Sequence, residues 1–219
     1  MVAAHRGWVY DRLVAGMTSG WYREVLTRLP RGTRLLDVGV GTGAALVRWA
    51  DLIRERELSV VGIDVDADYL ARCRRAVQRA GLTTVSPRLE SVYDHRDGPY
   101  DAAYFSASLM LLPDPAAALR RVAGLLRPGG TLYATQTFQL RRSRLVERGK
   151  PLIRYVTTIE FGRVTYEDEF RSCLAAAGVE LTGLHTMAAG KYFAQRLAIA
   201  KPEPRRSVEP VAERVADTA

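Results

Sequence analysis

The stretch Leu35-Leu36-Asp37-Val38-Gly39-Val40-Gly41-Thr42-Gly43 constrains the fold more than any other part of the chain, because three glycines alternate where a short apolar run ends. Such a run, bounded by turn residues, reads as a buried parallel strand. Glycines at its end permit positive φ and leave the backbone open to close approach. A strand that turns this sharply leads into a helix lying back on the sheet.

The following residues keep that rhythm. Apolar spacing predicts helices over 44–56, 67–80, 113–126 and 166–177, and strands over 33–38, 58–63, 84–89, 102–105, 131–137, 180–186 and 192–200. Pro128-Gly129-Gly130 is read as the turn into the fifth strand, and Asp114 with Pro115 as a helix start. Alternation of this length implies right-handed crossovers and an α/β, doubly wound, mostly parallel seven-stranded sheet. The last two strands flank Ala188-Ala189-Gly190, too short a link for a crossover, so they form an antiparallel pair.

The 219 residues read as one domain over 1–200, followed by a polar, proline-bearing flexible tail over 201–219. Within it, residues 1–30 form an N-terminal helical lid of two short helices interrupted at Gly16 and at Thr18-Ser19-Gly20. Residues 140–164 lose the periodicity, apart from one helical segment over 140–147, and are read as a cap.

The net charge of +8 invites a polyanionic partner, yet only three of the 32 basic residues are lysines, which argues against a designed phosphate track and against nucleic acid. Cys73 and Cys173 lie too far apart for a paired-cysteine metal site, and no metal is expected. No apolar run reaches the roughly 20 residues of a membrane span and charges run through residues 1–30, so the expected location is cytoplasmic.

On spacing alone the glycine turn also satisfies the loose fingerprint of a dinucleotide site. Asp37 speaks against that, since a carboxylate two residues before the first glycine would repel a diphosphate. The antiparallel ending, with no second domain behind it, points the same way. A cationic, phosphate-free ligand fits better.

Leu36-Asp37-Val38-Gly39-Val40-Gly41-Thr42-Gly43, Val60-Val61-Gly62-Ile63-Asp64, Pro99-Tyr100-Asp101 and Leu125-Leu126-Arg127-Pro128-Gly129-Gly130 occur in the order seen in one family, and over roughly residues 33–200 the chain resembles the class I S-adenosylmethionine-dependent methyltransferases. The resemblance, closest to the small-molecule, quinone-type branch, implies S-adenosylmethionine as cofactor. It implies contacts from Asp37, Gly39, Val40, Gly41 and Gly43 at the methionyl end and from Asp64 at the ribose. Val65, Ser91 and Val92 would lie at the adenine, and Phe105 and Ser106 follow the fourth strand. Ser91 stands where the family commonly has an aspartate, with Glu90 one register step away.

Methyl transfer from a sulfonium needs alignment more than acid–base help. Catalytic candidates are therefore few: His185, His5 and Tyr10, the last two in the lid with Tyr22; His95 is a further loop histidine. Ser108, Gln136, Thr137 and Gln139 follow the strand ends where doubly wound sheets bind ligands. The cations Arg141, Arg142, Arg144, Arg148, Lys150 and Arg154 in the cap favour an acidic or membrane-associated acceptor.

The expected activity is methyl transfer to a small-molecule acceptor such as a secondary metabolite. The alternatives are a quinone-type C-methyltransferase at the membrane surface, a cyclase or scaffold that binds the cofactor without transferring its methyl, and a nicotinamide-dependent reductase. The reading admits a homodimer and peripheral membrane contact.

Overall fold

The computed structural model describes residues 18–140 and 165–203. One seven-stranded sheet organises them, in the order β3-β2-β1-β4-β5-β7-β6. Its strands are β1 (Arg34–Val38), β2 (Ser59–Asp64), β3 (Val85–Leu89), β4 (Tyr100–Ser106), β5 (Leu126–Gln139), β6 (Val179–Ala189) and β7 (Phe193–Pro202). The first five strands run parallel to their neighbours, while β7 is antiparallel to both β5 and β6. The expected fold class, with its antiparallel ending, is what the chain forms.

Strand order reverses between β1 and β4. From β1 the chain builds outward to β3, then returns to lay β4 on the other flank of β1. The crevice beyond the carboxyl ends at such a switch point is where open α/β sheets receive ligands.

Two apolar cores flank the sheet. Alternation along β1 sends Leu36 and Val38 to one core, with Phe105, Phe138 and Phe170, and Leu35 to the other, with Tyr22, Leu26, Leu46 and Tyr104. Helices α5 (Pro115–Ala123) and α6 (Glu167–Ala176) supply buried residues to the first core. The second is covered by α1 (residues 18–26), α2 (Ala44–Arg48), α3 (Ala50–Glu55) and α4 (Ala67–Arg79). Asp66 caps α4 by accepting the Asp68 and Tyr69 N–H groups at 2.9 Å, and Asp114 caps α5 through the Ala117 N–H at 2.8 Å.

Several boundaries differ from expectation. The helix over 44–56 is two helices, because Trp49 leaves helical geometry (φ −109°, ψ 29°) and its indole N–H donates to the Ser19 carbonyl at 2.7 Å. The helix over 113–126 ends at Ala123, and β5 begins at Leu126, with Pro128-Gly129-Gly130 forming an irregularity inside it where pairing with β4 skips from Leu126 to Thr131. Thr18-Ser19-Gly20, expected to interrupt, lies inside α1. Lys201 and Pro202 belong to β7 and the Glu203 N–H donates to Gly178, so the tail does not start at 201. The first lid helix, the 141–164 part of the cap and its cations, and residues 204–219 lie outside the described residues. Among the described residues no helix is long and apolar enough to cross a membrane.

Candidate functional site

The glycine turn is held by β2. Gly39 and Val40 both donate their N–H groups to the Ile63 carbonyl, at 2.8 and 3.2 Å, and Gly41 donates to the Asp64 carboxylate at 2.9 Å. The other Asp64 oxygen accepts the Asp66 N–H at 2.9 Å. One carboxylate thus fixes the turn to the end of β2 and keeps lone pairs free for a further donor.

Gly39, Gly41 and Gly43 all have positive φ, at 80°, 58° and 68°. Two are also required by space. A Cβ on Gly39 would stand 2.7 Å from Ser108 Cβ, and one on Gly43 would stand 2.5 Å from Cys73 Sγ. Ser108 is placed there by its hydroxyl, which donates to the Val38 carbonyl. Nothing lies within 4 Å of a Cβ on Gly41, so that face of the turn is open to a ligand. Beneath the turn, Gly62 has no side chain because Val40 fills the space, with its methyls 2.9–3.1 Å from where a Cβ would be.

Asp37, the penultimate residue of β1, is fully buried. One carboxylate oxygen accepts the Tyr22 hydroxyl at 2.8 Å; the other has no hydrogen-bond partner. Burial, with the nearby charge of Asp64, raises the Asp37 pKa to about 7 against the opposing Tyr22 hydrogen bond. Tyr22 is itself pushed well above the usual phenol range, by burial and then by Asp37. It packs edge-on to Tyr104 at 5.0 Å between centroids, and Tyr104 shares a 2.8 Å hydrogen bond with Thr135. A buried carboxyl with one neutral partner is an uncompensated group.

Above it lies a cavity of about 480 Å³, lined by the glycine turn from Gly39 to Ala45, by Thr18 and Tyr22 of α1, by Tyr69 and Arg72 of α4, and by Ser106. The Ser106 hydroxyl is buried beside the Tyr104 phenol. Thr18, Tyr69 and Arg72 were not singled out from sequence. A signal existed, since the Asp66 cap starts α4 just past Asp64, and Tyr69 and Arg72 fall three apart on one helical stripe.

The remaining candidates scatter. Val40, Val92 and Phe105 are core residues, so only their backbones can face a ligand. Val65 is 73% exposed beside Asp64. The Ser91 hydroxyl accepts the Tyr93 N–H at 3.3 Å, and one Glu90 carboxylate oxygen lies 2.9 Å from His95 Nδ1. His185 is exposed on the edge strand β6, with β4, β5 and β7 between it and the turn, so the structure does not bring it to the cavity. His5 and Tyr10 lie outside the described residues. Gln136 donates to the Thr165 hydroxyl at 3.1 Å, and the Gln139 N–H donates to the Thr165 carbonyl at 3.0 Å.

These residues suit a cationic nucleoside rather than a dinucleotide. Two carboxylates, Asp37 and Asp64, stand at the turn where a diphosphate would lie, and α2 is too short at five residues to offer a strong dipole. A ligand carrying positive charge would supply what the unpartnered Asp37 oxygen lacks.

Comparison with known proteins agrees. Residues 36–134 match the family described as "Methyltransferase domain". The chain is 29% identical over 132 residues to a phosphatidylethanolamine N-methyltransferase of Cereibacter sphaeroides, covering 59% of this chain and 63% of the relative. It is 37% identical over 139 residues to nocamycin O-methyltransferase of Saccharothrix syringae, covering 58% and 49%. The chain thus spans about half to three-fifths of the length of these relatives. Its fold is also that of geranyl diphosphate C-methyltransferase from Streptomyces coelicolor, solved with S-adenosylhomocysteine (TM-score 0.66, 14% identity, covering 85% of this chain and 79% of that one). Residues 36–134 thus carry a methyltransferase domain, on a doubly wound sheet with an antiparallel ending like that of the class I S-adenosylmethionine-dependent methyltransferases.

Proposed function

We propose that the protein transfers a methyl group from S-adenosylmethionine to a small apolar or amphiphilic acceptor. The uncompensated, fully buried Asp37 carboxyl beneath an open glycine turn carries this reading. Asp37 would favour the positive charge at the amino-acid end of the cofactor, Gly39 and Gly41 would let that end approach the backbone, and Asp64 would accept from the ribose hydroxyls. Val65 and the Ser91-Val92 corner would flank the base. When bound, the cofactor supplies an activated methyl group; the protein's part is to align it and keep water out.

The rim of the crevice supports an apolar acceptor. Every large hydrophobic residue that is exposed among the described residues lies toward the carboxyl ends of the parallel strands: Val65 and Tyr69 after β2, Leu89 at the end of β3, Leu111 after β4, Leu140 after β5, and Tyr192 and Phe193 at the start of the reversed β7. Exposed apolar surface gathered on one side marks a binding face. Relatives named for phosphatidylethanolamine and nocamycin are in keeping with it.

Thermal unfolding with ligands tests the cofactor half. S-adenosylhomocysteine at a hundred times its dissociation constant stabilises by roughly 2.7 kcal/mol and raises the midpoint by several degrees, while NADH does nothing. Asp64→Ala weakens the homocysteine ligand by about 1–3 kcal/mol. A shift with NADH alone sinks the reading. Labelled methyl appearing in a product, with candidate apolar acceptors supplied, separates transfer from a cyclase or scaffold role.

A further inference from the structure

The proposed chemistry leaves one buried histidine without a task. His95 follows β3, has no solvent exposure, and uses all its polar atoms. Its Nδ1 lies 2.9 Å from a Glu90 carboxylate oxygen and its Nε2 lies 2.8 Å from the Tyr100 hydroxyl. Its N–H donates to the Ser91 carbonyl at 3.0 Å, beside the Asp94 N–H, which does the same. Its carbonyl accepts the Arg121 guanidinium from α5.

Four places in the chain therefore meet at one residue: Glu90 after β3 and Tyr100 at the start of β4 at its ring, and the Ser91 turn and Arg121 of α5 at its backbone. Glu90 is tied to the ribose-side acid as well, because its N–H donates to the Asp64 carbonyl at 3.0 Å. The Glu90-Ser91-Val92 turn, which the cofactor reading puts at the base, has little regular structure of its own. Edge strand β3 stops at Leu89 and no helix follows before β4.

We infer that His95 is a positioning residue for the base end of the cofactor pocket, holding the Glu90 carboxylate off the ligand and fixing the Ser91 turn against β4. This rests on the cofactor reading above. His95 touches no ligand atom; its ring acts through Glu90 and Tyr100. A positioning role of this kind depends on the two ring hydrogen bonds rather than on filling space, and that sets the test.

S-adenosylhomocysteine binding is measured by calorimetry for the full chain and for His95→Leu, His95→Gln, Glu90→Gln and His95→Leu/Glu90→Gln. Leucine fills the volume and makes neither bond, and weakens binding about tenfold. Glutamine donates to Glu90 and accepts from Tyr100, and restores affinity to within about threefold. Adding Glu90→Gln to the leucine variant costs no more than a further factor of two, because the pair acts as one unit. Leucine and glutamine variants equal in affinity, or independent effects of positions 90 and 95, overturn the inference. If His95→Leu does not fold, Tyr100→Phe removes one of the two bonds and must weaken binding severalfold, and unchanged affinity overturns it. Failure of the unaltered chain to bind the ligand instead removes the cofactor reading itself.

Discussion

The two ends of the parallel strands carry cavities of similar size, about 480 Å³ at the carboxyl end and about 440 Å³ at the amino end, and they treat charge in opposite ways. At the amino end Asp101 accepts the Arg34 N–H and the Arg127 guanidinium, each at 2.7 Å, and Arg31 grips Glu57 with two bonds. At the carboxyl end Asp37 has a single bond from a neutral phenol. Concavity alone does not distinguish the two. An unmet charge does, because a group buried without compensation lowers stability unless a ligand repays it.

The largest expected effect comes from removing that charge. Below about pH 3 the Asp37 carboxyl is neutral whether the chain is folded or not, so it costs nothing there. As pH rises from about 3 towards 7 the unfolded chain ionises first, and stability falls until the folded carboxyl ionises too. Asp37→Asn therefore raises unfolding free energy at pH 8 by about 2–4 kcal/mol and leaves it near that of the unaltered chain at about pH 3, as urea titrations at both pH values would show. The same variant loses affinity for S-adenosylmethionine. In the unaltered chain that affinity climbs as pH passes upward through about 7; in the variant it is flat. A destabilised Asn variant at pH 8 would break the contrast between the two ends.

Gly39 and Gly129 offer a matched pair, each with φ of 80°, one at each end. Alanine at 129 meets nothing within 4 Å and costs only the left-handed backbone, about 1–2 kcal/mol. Alanine at 39 must also displace Ser108, raising the cost to about 2–4 kcal/mol. It also abolishes binding of S-adenosylhomocysteine, while Gly129→Ala leaves it intact. Thermal melts with and without that ligand separate the two. The smallest effect is Arg127→Ala, which breaks a half-exposed ion pair, costs less than about 1 kcal/mol and leaves ligand affinity unchanged by calorimetry.

The legibility of this molecule follows the range of the forces involved. β1 and β2 show in the sequence because Leu35-Leu36 and Val60-Val61 are apolar runs closed by glycine or aspartate, a local signal. The acids Asp37 and Asp64 show because strand and turn place them at fixed steps from the glycines. What the sequence hides is long-range. The break at Trp49 depends on a carbonyl 30 residues earlier in the chain. Phe105 has the position of a ligand contact, yet strand alternation turns its ring into the core beside α5 and α6. The Tyr22 bond to Asp37 joins two elements whose separation no periodicity reports. His95, read as one loop histidine among others, takes its part only from Glu90 and Tyr100 closing on it.

Val40 and Gly62 share a single volume beneath the glycine turn, and Gly62 keeps an ordinary negative φ, so sterics alone exclude a side chain there. The two positions are therefore exchangeable partners. A methyl gained at 62 is admissible when bulk is given up at 40, and drift at one site is conditional on the other. Such a trade would retune how firmly the loop grips its occupant without altering any atom that touches it, a handle for laboratory evolution that ordinary single-site scanning would discard as lethal.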